Sequence, residues 1–288
     1  MTIPVHQLGE LKISLVTDGE FRLDGGAMFG VVPKTLWQRA KPADELNRIS
    51  MVTNCMLVER GDELLLVDTG IGDKNDEKFR KIFGLREGDR RLPEAIRAAG
   101  YELGDIDHVL LSHLHFDHCG WNTREAADGS LQPTFPNARY WMQRGEVAHA
   151  REPSERDAAS YDPRNWEPLF EAGVVELFDD EAEPMTGVRA IRAPGHNADM
   201  CIVRLDGGAA GHQGIFFADL IPTAAHVPLP WIMGYDLYPL TTLENKKRWL
   251  PQVAEGNWLC IFEHDPETPM GRLVEDKPGR WRAEAVDG

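Results

Sequence analysis

The sequence lacks the features of a membrane protein and of a nucleic-acid-binding protein. No apolar stretch approaches the roughly 20 residues that span a bilayer, and residues 1–6 do not begin a basic segment followed by an apolar one. Basic residues are outnumbered, with 31 Lys and Arg against 47 Asp and Glu and a net charge of −16. Binding to phosphate backbones relies on basic patches, which are missing here. We therefore expect a cytoplasmic protein that binds neither membrane nor nucleic acid.

Cysteine is also scarce. The four cysteines, Cys55, Cys119, Cys201 and Cys260, form no Cys-x-x-Cys pair, so neither a zinc knuckle nor a redox motif is indicated. All four lie in or beside apolar runs, which favours buried free thiols in a reducing compartment over disulfides. The chain has 288 residues, is 42% hydrophobic and shows no low-complexity segment, so it can fill a substantial core. We predict a single domain over residues 1–288.

A dense histidine motif is what the sequence does have. Residues 110–120 read Leu-Leu-Ser-His-Leu-His-Phe-Asp-His-Cys-Gly, which places His113, His115, Asp117 and His118 within six residues. The apolar run before them predicts a buried strand ending in a tight loop, which is where binding sites collect in α/β sheets. Burying four such groups would be costly unless something neutralised them. The loop can direct the first two histidines to one metal ion and the last two residues to a neighbouring ion.

Four further apolar runs also stop at, or just before, a residue that can bind a metal. These residues are Asp68, His196, Asp219 and His264. A single Asp after a strand is usually a turn or cap residue, but five such endings predict one polar site along one edge of a sheet. The sequences that end in Asp68 and Asp219, Leu-Leu-Leu-Val-Asp and Ile-Phe-Phe-Ala-Asp, are also alike, which indicates two similar halves facing each other.

Counting ligands gives two sets that share one carboxylate. The first ion would be held by His113, His115 and His196, the second by Asp117, His118 and His264, and both by a bridging Asp219. Imidazole and carboxylate donors without thiolate suit Zn²⁺, and also Mn²⁺, Co²⁺ or Fe²⁺. We expect the ions ~3.5–4 Å apart with a shared water or hydroxide. Asp68 is expected to orient a ligand imidazole from outside, through its second ring nitrogen.

Local patterns predict several elements around these residues. Residues 11–16 are predicted to form a strand that ends in a turn, and residues 121–137 a loop. The last helix is predicted over 243–254, kinked or shortened by Pro251. The segment 153–168 has no clear periodicity, so it is either a lid or an excursion that packs on the core.

As a set, these residues resemble the metallo-β-lactamase superfamily of metal-dependent hydrolases. The matching features occur in the family's order: Asp68-Thr69-Gly70, the motif at 113–118, Ala193-Pro194-Gly195-His196, Asp219 and His264. The resemblance implies an α/β fold of the αββα sandwich type, with two mixed β-sheets flanked by helices and the metals at one edge of the sheets. It also implies hydrolysis by the bridging hydroxide, with Asp117 passing a proton to the leaving group.

Residues 219–226 and 235–240 look like the branch of quorum-quenching lactonases and methyl-parathion-type hydrolases. The acyl-homoserine lactonases place a substrate-contacting tyrosine three residues after the bridging aspartate, where this sequence has Pro222. Tyr235 or His226 is the candidate to replace that donor. A loop histidine with satisfied hydrogen bonds is the alternative for His226.

An apolar, proline-containing loop at 227–234 follows the bridging aspartate and predicts an apolar pocket. The candidates for its wall are Met28, Phe29, Trp121, Trp231 and Met233. Packing in the core is the alternative for each of them. If Trp231 lines the pocket, its replacement by Ala is expected to raise KM for acyl-chain substrates while the metals stay bound.

The leading hypothesis is a lactonase or esterase that acts on small, fairly apolar molecules, with phosphotriester hydrolysis as a side activity. A glyoxalase II-like thioesterase is an alternative, although no C-terminal Lys/Arg cluster is present to hold an anionic thiol carrier. True β-lactamase activity is disfavoured because Asp219 stands where many of those enzymes have a thiolate. A non-catalytic metal-binding sensor and an oxygen-dependent iron enzyme on the same fold stay open. So do the native substrate, the metal in the cell and assembly into a homodimer.

Overall fold

The structure of the chain is a computed structural model that describes residues 3–86, 88, 91–209 and 211–286. Its strands are β1 Val5–Leu8, β2 Leu11–Asp24, β3 Arg48–Arg60, β4 Glu63–Val67, β5 His108–Leu110, β6 Thr123–Glu125, β7 Leu131–Pro133, β8 Arg139–Gln143, β9 Val175–Phe178, β10 Glu181–Met185, β11 Val188–Arg192, β12 Cys201–Asp206, β13 Gln213–Phe216, β14 Leu259–Ile261, β15 Met270–Lys277 and β16 Arg280–Ala285. Its α-helices are α1 Gly25–Phe29, α2 Lys34–Trp37, α3 Glu77–Phe83, α4 Leu92–Ala98, α5 Phe116–Cys119, α6 Arg144–Arg151, α7 Glu167–Glu171 and α8 Pro239–Glu255.

Two seven-stranded sheets organise the fold. The first has the order β1-β2-β3-β4-β5-β8-β9 and the second the order β10-β11-β12-β13-β14-β15-β16. Both are mixed, because β4, β5, β8 and β9 run parallel in the first sheet and β13 and β14 in the second, beside antiparallel neighbours. This arrangement confirms the predicted α/β fold with two mixed sheets.

The sheets bury their facing sides against each other and their outer sides under helices. Strand alternation sends Ile13 and Val67 of the first sheet and Ile202 of the second into one shared core, all fully buried. Helices α4, α6 and α7 cover the outer side of the first sheet, where Ile96 is buried. Helix α8 packs on the second sheet through Leu250 and its neighbours. The helices therefore flank the pair of sheets.

Three predicted elements differ from the observed ones. Strand β2 continues to Asp24, and the expected turn after residue 16 is a bulge, where the pairing shifts between Thr17 and Glu20. The predicted loop 121–137 contains the hairpin pair β6 and β7. Helix α8 begins four residues earlier than predicted, at Pro239, and continues past Pro251. A proline suits the first turn of a helix, so the earlier start has a local cause.

The cysteines agree with the prediction. Cys55, Cys119, Cys201 and Cys260 are all buried free thiols, and burial raises the pKa of each. These thiols therefore stay protonated and pack as small apolar groups. Over the described residues, no helix combines the length and the apolar character needed to cross a membrane.

Candidate metal centre

The residues predicted to bind metal follow strand ends in both sheets. The first sheet supplies Asp68 after β4 and residues 113–118 after β5, and the second supplies His196 after β11, Asp219 after β13 and His264 after β14. Buried parallel strands such as β4 and β5 read as continuous apolar runs, which is why the polar residue at each end stands out in the sequence.

Unusual backbone conformations mark these strand ends. Asp68 and Ala218, which precedes Asp219, have positive φ values of 56° and 46°. Positive φ values are uncommon for residues other than glycine, and the residues that adopt them cluster at functional sites. Gly195 has a φ of 154°, and a Cβ atom there would lie 2.4 Å from Oγ1 of Thr242 in α8. The glycine therefore lets the loop that carries His196 approach the helix closely.

The seven predicted ligands lie together in two buried groups. The first consists of His113, His115, His196 and Asp219, and the second of Asp117, His118 and His264, with the ligand atoms of each group within 4.8 Å of one another. The carboxylate of Asp219 joins the groups: Oδ2 lies 3.2 Å from Nε2 of His196, and Oδ1 lies 3.2 Å from Nε2 of His264. One carboxylate thus faces histidines of both groups.

The histidine nitrogens fit a pair of metal ions. Nδ1 of His115 faces Nε2 of His196 at 3.0 Å, and Nε2 of His118 faces Nε2 of His264 at 3.2 Å. In neutral His118 and His264 both Nε2 atoms carry lone pairs, because Nδ1 of each ring donates elsewhere, and a cation between the two Nε2 atoms satisfies both lone pairs. Nε2 of His113 is buried and has no hydrogen-bond partner among the residues that the structure describes. Buried polar atoms left unpaired in this way are rare in folded proteins, so the donor set suits divalent metal.

The protonation of His113, His115 and Asp219 in the first group suits metal binding, whereas Asp219 and Asp236 raise the pKa of His196 against the effect of burial. Burial lowers the pKa of His113 and His115 well below its usual value, and neighbouring histidines add to this effect. Burial alone would raise the pKa of Asp219, but His196, His118 and His264 hold it well below its usual value. Neutral imidazoles and an ionised carboxylate are the forms that bind metal.

Acceptors outside the two groups orient three of the histidines. Nδ1 of His118 donates to Oδ2 of Asp68 at 3.1 Å, Nδ1 of His196 donates to Oδ1 of Asp236 at 3.1 Å, and Nδ1 of His264 donates to a backbone carbonyl at 2.9 Å. Such partners fix the tautomer and the ring orientation of a ligand histidine. Asp68 thus contacts the second ring nitrogen of the candidate ligand His118.

Two acidic residues of the site were missed by sequence reasoning. Asp236 lies in a loop without periodicity, 40 residues from the histidine it contacts. Glu263 is fully buried, with Oε2 at 3.1 Å from Nδ1 of His118, and burial raises the pKa of this carboxyl to about 8. Its position directly before His264 was the signal that could have found it. No comparable signal marks Asp236.

A cavity of about 680 Å³ opens onto the metal-binding residues, with His115, Asp117, His196, Asp219 and His264 at its surface. Its apolar wall includes Ala27, Met28, Met51, Phe116, Met233 and Leu237. Tyr235 also lines the cavity, and burial raises the pKa of its phenol to about 12, with Asp24 and Asp117 adding to the shift. Two of the five predicted pocket residues, Met28 and Met233, therefore line this cavity.

The other three predicted wall residues, and His226, are not among the residues that line this cavity. Trp121 points into the protein, where its indole N–H donates to Oδ1 of Asp18 at 2.5 Å. Phe29 is fully buried and stacks on the His226 ring with centroids 4.5 Å apart, and Trp231 packs edge-on against Phe29. The rings of Phe29 and Trp231 pack in one core cluster and that of Trp121 in the core on the outer side of the first sheet, so the pocket assignment of all three is corrected to packing.

His226 has both ring nitrogens satisfied within the protein. Nδ1 lies 2.8 Å from Oγ1 of Thr223, and Nε2 lies 2.9 Å from the carbonyl oxygen of Met28. Burial lowers the pKa of this imidazole to about 4. The structure therefore favours the satisfied loop histidine over the substrate contact.

The segment 153–168 forms part of the cavity wall. Arg156, Asp157, Ala159 and Ser160 line the cavity, and the guanidinium of Arg156 donates to the carbonyl oxygen of Gly234 at 2.6 Å. This hydrogen bond joins the segment to the loop that carries Met233 and Tyr235. The segment also packs on the core through the fully buried Trp166, so it combines features of both interpretations.

Comparison with known proteins identifies the family to which this chain belongs. The model of the metallo-beta-lactamase superfamily matches residues 50–264, and the chain belongs to this family. It is a metal-dependent hydrolase with clustered His and Asp side chains suited to divalent metal.

The chain is also similar to individual proteins and solved structures. The chain is 25% identical over 251 residues to an N-acyl homoserine lactonase of Bacillus cereus, a match that covers 79% of this chain and 87% of the relative. A probable metal-dependent hydrolase from Staphylococcus aureus superimposes with a TM-score of 0.88 at 27% identity, covering 98% of this chain and 99% of the other. The dizinc quorum-quenching lactonase AidC, in complex with a product, matches with a TM-score of 0.79 at 21% identity, over 99% and 98% of the two chains. At that identity the last match shows a shared fold.

Proposed function

We propose that this chain hydrolyses small apolar lactones or esters with two divalent metal ions, most suitably Zn²⁺, held by the seven residues of the two groups. The observation that carries the proposal is the Asp219 carboxylate, whose two oxygens face histidines of different groups, each at 3.2 Å. When bound, such a pair of ions polarises a carbonyl oxygen and supplies a hydroxide nucleophile at neutral pH. The lactonase relatives support the substrate class.

Side chains of the cavity supply the remaining roles. Asp117, a member of the second group, also lines the cavity, so its carboxylate is placed to carry a proton to the leaving group. Tyr235 replaces the tyrosine that Pro222 displaces, because its phenol lines the cavity and keeps its proton at neutral pH. The apolar wall with Met28 and Met233 receives the acyl part of the substrate. Phosphotriesters fit the same arrangement as a side activity.

The thioesterase alternative draws on one observation that the sequence did not offer. Arg22, Arg48 and Arg156 line the cavity, and guanidinium groups suit an anionic thiol carrier. Arg48 is bound to Asp44 at 3.0 Å, however, and Arg22 lies 3.6 Å from the same carboxylate. Esters therefore lead, with anionic thioesters as the second class to assay. A cytoplasmic location, a single domain and a homodimer stay predictions from the sequence.

Metal analysis combined with a hydrolysis screen tests the proposal. Protein purified without chelator is analysed for metal and assayed on lactones, esters, thioesters and phosphotriesters, beside Asp219→Ala and the exposed control Asp276→Ala. We expect about two ions per chain and lactone or ester turnover that is lost in Asp219→Ala and kept in the control. One ion or none under metal-replete conditions overturns the ligand assignment. Two bound ions without turnover of any substrate class would favour a non-catalytic metal-binding sensor.

A further inference from the structure

His115 differs from the other four histidines of the candidate metal centre. Each of the other four has a partner at the ring nitrogen that faces away from its group: the Ser112 hydroxyl at 3.1 Å from Nδ1 of His113, and the acceptors described above for His118, His196 and His264. His115 faces the first group through Nδ1, and its Nε2 is buried without a hydrogen-bond partner among the described residues. Ligand histidines almost always have such a partner, so something else must hold this ring.

Tyr161 packs against the His115 ring. The backbones of His115 and Tyr161 form an isolated antiparallel bridge, and the two rings meet edge-on with centroids 4.8 Å apart and an interplanar angle of 70°. The Tyr161 ring is itself fixed by Trp166, whose ring lies 6.1 Å away at 89°. The imidazole of His115 is thus held by packing and by its backbone.

The phenol of Tyr161 also connects the two loops that supply the first group. Its hydroxyl donates to Oε1 of Glu146 at 3.2 Å, and the same oxygen accepts the backbone N–H of Leu114 at 2.9 Å. On its other side the hydroxyl accepts from Nδ2 of Asn197, the residue after His196, at 3.5 Å. None of the hydrogen bonds or ring contacts found for Tyr161 among the described residues reaches Asp117, His118 or His264.

We propose that Tyr161 is the positioning residue of the first metal site, and that it holds His115 in place of the missing hydrogen bond. This inference rests on the proposed two-metal function. Because its contacts are confined to one group, removing Tyr161 should weaken one of the two metal ions and spare the other. A merely structural role would lower the stability of the fold and affect both ions alike.

A stepwise chelator titration separates these outcomes. Zn²⁺-loaded protein is dialysed against graded concentrations of a chelator, and zinc per chain is measured for the wild type, Tyr161→Leu, Tyr161→Phe and the control Tyr140→Phe. Tyr140 is a matched control because its buried hydroxyl also bonds within the protein, to the backbone of Asn122 and Phe135. The Co²⁺-substituted proteins are compared by absorption, which reports on ligand geometry.

We expect Tyr161→Leu to lose one ion at about tenfold lower chelator concentration, since both the ring contact with His115 and the hydroxyl are removed. Tyr161→Phe should lose the same ion at about fivefold lower concentration, because only the hydroxyl is removed. The second ion and the control should behave as in the wild type. Tyr161→Phe is nearly isosteric and carries the test alone if Tyr161→Leu does not fold.

Unchanged affinity for both ions in folded Tyr161 variants overturns this inference and leaves the proposed function intact. Equal weakening of both ions also overturns it. A wild-type protein that binds fewer than two ions overturns the proposed function itself, before any variant is compared.

Discussion

Asp236 holds His196 from behind: Oδ1 of this buried carboxylate lies 3.1 Å from Nδ1 of the imidazole, and Oδ2 accepts the hydroxyl of Thr242 at 2.7 Å. Helix α8 supplies Thr242, so the orientation of a candidate metal ligand depends on a helix packed on the outer side of the second sheet. The close approach at Gly195 makes this relay sterically possible.

Replacing Asp236 by Ala should weaken metal binding with the fold intact. Loss of a carboxylate behind a ligand histidine typically costs 10- to 100-fold in metal affinity, and we expect a loss of about that size for one of the two ions. Chelator titration with elemental analysis measures it, with Asp276→Ala as the surface control. An unchanged titration in a folded Asp236→Ala protein would remove Asp236 from the site.

Replacing Tyr235 by Phe should reduce turnover without loss of metal. The phenol lines the cavity and keeps its proton at neutral pH, so its removal costs a hydrogen bond to the reacting carbonyl. We expect kcat/KM for a lactone or ester to fall about tenfold, the effect of roughly 1.4 kcal/mol, with two ions per chain retained. Full activity in Tyr235→Phe would contradict the donor role.

The single variants Met233→Ala and Trp231→Ala should have different effects, because Met233 lines the cavity and Trp231 packs behind its wall. Met233 lines the cavity, so Met233→Ala should raise KM for an apolar ester about fivefold, because methylene contacts in a pocket are worth roughly 1–3 kcal/mol. Trp231 packs against Phe29 outside the cavity, and Trp231→Ala should instead lower the free energy of unfolding by roughly 2–3 kcal/mol. Steady-state kinetics and urea unfolding measure the two effects. A raised KM at unchanged stability in Trp231→Ala would return this residue to the pocket.

His226 should contribute a defined part of the acid sensitivity. Its pKa is lowered from 6.5 to about 4 in the folded protein, so the unfolded chain binds more protons between these values. The contribution of this group to the free energy of unfolding is therefore largest above about pH 6.5. As the pH is lowered from 6.5 to about 4, the contribution decreases by at most about 1.4 kcal/mol per pH unit.

The variant His226→Gln tests this sign. It should be less stable than the wild type at pH 7, because two hydrogen bonds of the ring are disturbed, and the difference should shrink as the pH falls from 6.5 to 4. Metal-free protein is used for both, which removes proton-linked metal release. A difference that stays constant over this range, or a shrinkage of equal size in the exposed control His212→Gln, would contradict the assignment.

The sequence predicted the class of fold, and it picked out the seven candidate ligands that the fold brings together, because that information is local. Each strand end reads as an apolar run that stops at Asp or His, so Asp68, Asp219 and the histidine motif could be recognised along the chain. Asp236 and Tyr161 could not, because their roles arise only when distant loops meet. Trp121 was misassigned for the same reason: its place beside the motif says nothing about the direction of its ring, which the distant Asp18 decides.

Each of the two ligand groups takes residues from both sheets, since residues 113–118 follow β5 while His196, Asp219 and His264 follow strands of the second sheet. Neither sheet alone can assemble a complete group, so tight capture of metal is expected only after the two halves have docked. The uptake of metal would therefore report when the two halves dock, which is the last step of folding. By mass action, the concentration of free metal also sets part of the free energy of unfolding of the docked chain. When metal is scarce, this hydrolase is expected to lose stability as well as activity.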